Sequence, residues 1–222
     1  MTIVMGFFYD KKLIDFFQNI EKYNFLWYDR SSNLVDRKGD EPMKVNEFIV
    51  LEHFVVSRYT MAILPYPLNS DIYAKVIEED GEYIVKKTPT DIIKHSCDYY
   101  GCSFQGRKEG TKALIGITHK APIAIEPSNG IYVFPTSSPR DSGCVWLSHM
   151  HVYRYEPAKY ERTVVYFRNG KSVFLDVSYK SFINQLYRTA QLRTKLSDRM
   201  EARERKLQYI FRMQQENDVT EH

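Results

Sequence analysis

The chain has 222 residues, 43% of them hydrophobic and 27% charged, which is too apolar for a disordered polypeptide and long enough for one substantial core. No run of about 18 uncharged apolar residues occurs, which excludes an ordinary membrane-spanning helix. The formal net charge is only +3, so affinity for a polyanion has to come from local clustering rather than from the total.

Residues 1–42 differ in texture from the rest. Phe7, Phe8, Leu13, Ile14, Phe17 and Ile20 recur at helical spacing, and SSN at 31–33 and RKGDEP at 37–42 read as loop or linker. Met43 opens a segment able to begin a protein by itself. Residues 1–42 are therefore expected to be an N-terminal extension and 43–222 the working domain. Cys97, Cys102 and Cys144 cannot all pair, and no secretory leader pattern opens the chain, so a reduced, cytoplasmic protein is expected.

From Phe48 the pattern turns to β. FIVL (48–51), FVV (54–56), MAIL (61–64, stopped by Pro65) and IYAKVI (72–77) are rich in β-branched and aromatic residues. Asp80-Gly81 before Tyr83, Ile84 and Val85 predicts a hairpin, because glycine takes the positive φ of a tight turn. Thr90 reads as an N-cap, with Asp91 in the first turn and Gly101 as terminator, which bounds a short helix over 90–100. SFQGRKEGTK at 103–112 reads as a glycine-spaced basic loop. Strands are expected at 113–117, 123–125 and 131–134, and one longer strand over 145–153. A hairpin of 163–167 with 172–177 is expected about Asn169-Gly170.

At ~100° per residue, Phe182, Leu186, Thr189, Leu196, Met200, Leu207 and Phe211 fall on one stripe, predicting an amphipathic helix over 179–216. Arg188, Lys195, Arg199 and Lys206 recur on a neighbouring side, away from Asp198, Glu201, Glu204 and Glu216. Segregated cations are the footprint of a polyanion, nucleic acid foremost; otherwise such a face is simply solvated. Arg193 projects beside the apolar stripe and asks for a partner or a helix break near 192–194. The fold class expected is α+β: an antiparallel β-rich body with a short internal helix and a long or broken C-terminal amphipathic helix.

Cys97, Cys102, His149 and His151 are potential zinc ligands, two histidines one residue apart sharing a strand face. Their loose spacing favours small buried thiols and hydrogen-bonded imidazoles instead, so neither metal nor cofactor is expected. GCSFQGRK (101–108) and GRKEGTK (106–112) mimic part of a phosphate loop, but neither has Gly-Lys followed by Ser or Thr after four intervening residues, nor a βαβ setting. No nucleophile elbow or paired carboxylates stand out, and no enzyme is expected. What remains is basic: Arg107, Lys108 and Lys112 beside glycines that permit close backbone approach, and Arg188, Arg193, Lys195 and Arg199 on the helix. Tyr99, Tyr100 and Phe104 beside Arg107 suit stacking on a single strand, whereas a stiff basic helix suits a duplex. The pattern leaves both open.

SFQGRKEGT (103–111), HKAPI (119–123), PSNGIYVFPT (127–136), WLSHMHV (146–152) and SYKSFINQLYRTAQLRTKLSDR (178–199) occur in this order. From about Tyr59 to Arg199 the chain resembles the ComK family of competence transcription factors, which carries these motifs in the same order. The resemblance implies a homo-oligomeric activator of DNA-uptake genes that recognises paired AT-rich boxes in double-stranded DNA, largely through the minor groove, with RNA polymerase as a further partner. A-tracts narrow that groove and deepen its negative potential, drawing in Arg or Lys. Arg107 and Lys108 are then the first candidates for insertion, with the helix cations on phosphates. Residues 1–42 match nothing in the family. The tail after Arg199 also departs from it: the peptide by which an adaptor leads some members to a Clp protease is not found there, and that partnership is not expected. The residues leave one alternative, an adaptor protein whose basic helix packs on an acidic partner.

Overall fold

The computed structural model describes residues 44–45, 48–68 and 71–220; the expected extension over 1–42 lies outside the described residues. The chain runs β1 (Lys44–Val45), β2 (Phe48–Leu51), β3 (Thr60–Leu68), β4 (Asp71–Glu78) and β5 (Glu82–Val85), then helices α1 (Pro89–Tyr99) and α2 (Phe104–Ile115). Next come β6 (Ile123–Glu126), β7 (Ile131–Pro135) and β8 (Trp146–Ser148), a 3-10 turn (His149–His151), β9 (Val152–Ala158), β10 (Arg162–Phe167), β11 (Ser172–Leu175) and α3 (Tyr179–Thr220). Eight strands form one sheet in the order β1-β2-β5-β4-β3-β8-β7-β6, and three form another in the order β11-β10-β9. Only β2 with β5 pairs in parallel among the described residues. The class is α+β, antiparallel-rich, with a long C-terminal helix.

Alternation along the strands sorts two cores onto the two faces of the large sheet. Ile63, Ala74, Val76, Val133 and Trp146 face α1 and α2, where Ile92, Ile93 and Cys97 meet them. Met61, Ala62, Phe134 and Leu147 face the other way, onto Val165, Phe167, Val173 and Leu175 of the small sheet and Phe182 of α3. Because its middle strands are buried on both sides, they read as nearly continuous apolar runs. β3 does not stop at Pro65. Beyond Ile63 its strand partner among the described residues is β4, and proline, which has no N–H to donate, is tolerated where a strand is not paired on both sides.

Several expectations are corrected. The basic loop over 103–112 and the strand over 113–117 are one helix, α2. Ser103 caps it, its Oγ accepting from Gly106 N at 3.0 Å, and Phe104 is anchored edge-on against Trp146 at 6.2 Å. The cap of α1 is Thr88 rather than Thr90. Thr90 Oγ1 instead donates to Pro139 O (2.9 Å) and accepts from Trp146 Nε1 (3.1 Å). Residues 54–56 form no strand, since Val56 N donates to Ser96 Oγ of α1 at 2.9 Å. The long strand over 145–153 is broken by the 3-10 turn, where the chain passes from the large sheet to the small one. His151 Nε2 lies 2.7 Å from Arg58 O at that corner.

Both hairpins form, although for partly different reasons. Gly81 is absent from the residues of positive φ; a Cβ there would sit 3.0 Å from Tyr83 Oη, so what glycine offers at this turn is room for the Tyr83 ring. Gly170 does take positive φ, at 86°. Its neighbour Asn169 donates Nδ2 to Glu79 O at 3.1 Å, tying the turn of the small sheet to that of the large one. Finally, α3 is a single helix of 42 residues, with no break at 192–194.

Candidate nucleic-acid interface

The two basic runs singled out in the sequence come together in space. Leu114 and Ile115 of α2 pack with Leu192 and Leu196 of α3 over Ala124 and Tyr132, at the β6–β7 end of the large sheet. Burial raises the Tyr132 phenol, and Arg193 followed by Arg107 pulls it back down. Charges from both helices therefore act on one phenol. His149 is held below the ordinary imidazole value by burial first and by Arg193 second. Arg193 is exposed, which removes the need for a helix break beside it.

The candidate side chains fall into two groups. Arg107 is half-buried, its Nε donating to Cys102 Sγ at 2.8 Å and its Nη2 to Ile125 O at 3.0 Å. Arg188 is half-buried as well, donating Nη1 to Gln185 Oε1 at 3.1 Å. Gln185 is 2% exposed and is itself fixed by bonds to Lys120 O (2.7 Å) and Pro135 O (2.8 Å). These two arginines are built into the body. Lys112, Arg193, Lys195 and Arg199 are exposed and Lys108 half-exposed. Among the described residues none of the five has a carboxylate at ion-pair distance. Uncompensated cations on two packed helices make a surface suited to an anionic partner.

Other readings lose ground on geometry. Tyr100 is half-buried and donates to Val56 O at 3.3 Å, and Phe104 is packed on Trp146. Of the three rings proposed for single-strand stacking, only Tyr99 is exposed. The Cys97 thiol is pushed up to about 12, chiefly by burial, and Cys102 Sγ donates to Cys97 O at 3.4 Å. Among the described residues no group of three His, Cys, Asp or Glu side chains is placed to hold a metal ion. No described helix is long and apolar enough to cross a membrane.

Sequence reasoning overlooked the arginines of the small sheet. Arg154 lies 4.4 Å over the Tyr166 ring, Arg162 lies 5.8 Å from Tyr160 and 5.9 Å from Phe174, and Arg168 lies 5.6 Å over Tyr153. The available signal was Arg154, Arg162 and Tyr166 at even spacing, which period-2 geometry puts on strand faces.

Fold and surface together define an α+β chain in which two helices bearing exposed cations pack on each other at one sheet edge. Residues 51–201 match the model of the ComK protein family. Over 153 residues the chain is 44% identical to the Competence transcription factor of Bacillus subtilis (strain 168), an alignment covering 69% of this chain and 80% of that protein. The chain belongs to the ComK family. No solved structure matches it.

Proposed function

We propose that the protein is a cytoplasmic transcription activator of competence (DNA-uptake) genes that binds double-stranded DNA as a homo-oligomer, at paired AT-rich boxes and largely through the minor groove. The observation that carries this reading is the meeting of α2 and α3, with Lys108, Lys112, Arg193, Lys195 and Arg199 free of carboxylates among the described residues, in a member of a family whose relative is named a competence transcription factor. The exposed cations neutralise phosphates, and the deepened potential of a narrow A-tract groove adds preference. Arg107 and Arg188, held by the body, orient that surface and reach DNA with their remaining N–H donors. Residues 1–42 stand outside the DNA-binding domain in this proposal, and as an activator the protein contacts RNA polymerase.

Binding of a labelled AT-box duplex across a salt series tests this. Affinity should fall with a log–log slope of about 0.9 per neutralised phosphate and should exceed that for a scrambled duplex. Lys195→Ala should weaken all sequences alike and flatten the slope by about one unit. The adaptor alternative draws support from exposed Met200, Leu207 and Phe211 on α3. It predicts no duplex affinity beyond that of a polyanion such as heparin.

A further inference from the structure

The small sheet turns one face to α3 and the other to solvent. Val165, Phe167, Val173 and Leu175 are buried toward Phe182, so alternation directs their neighbours outward. Register sets Phe174, Val164 and Glu156 in one cross-strand row of that outer face and Ser172, Tyr166 and Arg154 in the next. Three large rings on or beside it are exposed: Tyr153 at 65%, Tyr160 at 85% and Phe174 at 64%. Each carries an arginine, as does Tyr166. A guanidinium held over a ring in this way keeps N–H donors free to act and has less rotamer entropy to lose on binding. Arg154 gives Nε to Glu156 (3.3 Å) and Arg162 gives Nε to Lys159 O (3.4 Å), so the Nη donors of both remain. Over residues 152–177 five Lys and Arg stand against three Asp and Glu.

We infer that this outer face is a second contact surface for duplex DNA, placing Arg154, Arg162 and Arg168 on phosphates. The inference rests on the DNA-binding reading above and adds a surface to it. Strands are ~4.8 Å apart, so three of them are too broad for the ~6 Å minor groove and lie across the backbone of the ~12 Å major groove. That leaves the minor groove to the α2–α3 surface. A second copy of the chain is a poorer occupant, because two-fold apposition would set this cationic face against itself. A single strand is poorer too, since stacking on these rings would compete with the guanidinium groups that lie over them.

The test uses the full chain with Arg154→Gln, Arg162→Gln and Arg168→Gln combined, glutamine keeping a planar amide against each ring. Duplex binding is measured across a salt series, together with the urea midpoint and sedimentation. The variant should bind AT-box and scrambled duplex alike at least tenfold more weakly, with a slope smaller by about 2 to 3 units and an unchanged midpoint and assembly. Should the triple variant lose stability, Arg168→Gln alone replaces it, with a slope smaller by about one unit. Wild-type binding of duplex with variant affinity and slope unchanged would overturn the inference and leave the proposed function standing. A smaller assembly in the variant, or tighter binding of a single-stranded oligonucleotide than of duplex by the wild type, would overturn it as well. A wild-type chain that binds no duplex removes the proposed function, and this surface with it.

Discussion

Glu78 is the residue at which burial most plainly works against charge. Its side chain accepts from Thr60 Oγ1 at 2.8 Å and Ser57 Oγ at 3.0 Å, yet burial outweighs both hydrogen bonds and raises the carboxyl above its ordinary value. A carboxyl raised in the folded state binds more protons there than in the unfolded chain, so its contribution to stability is complete at low pH. That contribution is lost as pH climbs from the ordinary glutamate range, about 4.3, through the folded-state value. Glu82 has the opposite sign: burial acts on it first, but its bonds and charge pairing with Lys75 and Lys171 win and lower it. Subtracting the urea-midpoint profile of Glu78→Gln from that of the wild type isolates the first effect. The difference should decline with rising pH and then level off; a rising difference would place the carboxylate in a stabilising pair. Arg107 makes a complementary point, since a cation chosen from sequence for DNA is also a brace. Arg107→Ala leaves Ile125 O without its donor and should cost about 1 to 3 kcal/mol, seen as a lower urea midpoint. Arg107→Lys should restore only part of this, because a single ammonium nitrogen lacks the rigid fork that reaches Cys102 Sγ from Nε and Ile125 O from Nη2.

At the scale of elements, α2 shows what local patterning missed. Two glycines and no clean apolar period made 103–112 read as a loop, and what holds it helical is largely non-local: Phe104 against Trp146, and Thr111 Oγ1 donating to Pro122 O at 2.8 Å. One local signal was present in Ser103, whose cap should be worth about 1 kcal/mol and whose change to Ala should lower the midpoint accordingly. Gly110 is the converse case. A Cβ there would meet nothing within 4 Å, so Gly110→Ala should stabilise the fold by about 0.5 to 1 kcal/mol. A duplex affinity that falls while stability rises would mean that DNA backbone approaches α2 at that point. The hairpins were legible because turn chemistry is encoded within a few residues, and α1 was legible to within its cap. The corner at His149–His151 was not, because Arg58, distant in sequence, supplies the carbonyl that holds it. Neither was the continuation of β3 through two prolines, which depends on a neighbouring strand ending early.

At the scale of the molecule, burial and sequence likeness end at nearly the same place. Phe182, Gln185, Thr189 and Leu192 of α3 are buried and Leu196 is half-buried, whereas every residue from 198 to 211 is exposed. The match to the ComK family ends at residue 201. The shared sequence therefore encodes the body and the packed turns of α3, and the apolar stripe that runs on through Met200, Leu207 and Phe211 serves nothing within it. Periodicity alone could not reveal this change: the stripe keeps its phase across Leu196, and only the order of the strands beneath determines where support stops. Stability should follow burial rather than periodicity. Removing the residues after Arg199 deletes no buried side chain among those described, so the urea midpoint should change by no more than about 0.5 kcal/mol equivalent, while Lys195 and Arg199 remain to hold the salt slope of duplex binding. Leu192→Ala, which opens the cluster shared with Tyr132 and Ala124, should cost about 2 to 5 kcal/mol. Equal losses from the two changes would mean that the exposed turns of α3 are packed in solution, and a slope reduced by the truncation alone would move part of the duplex contact beyond Arg199.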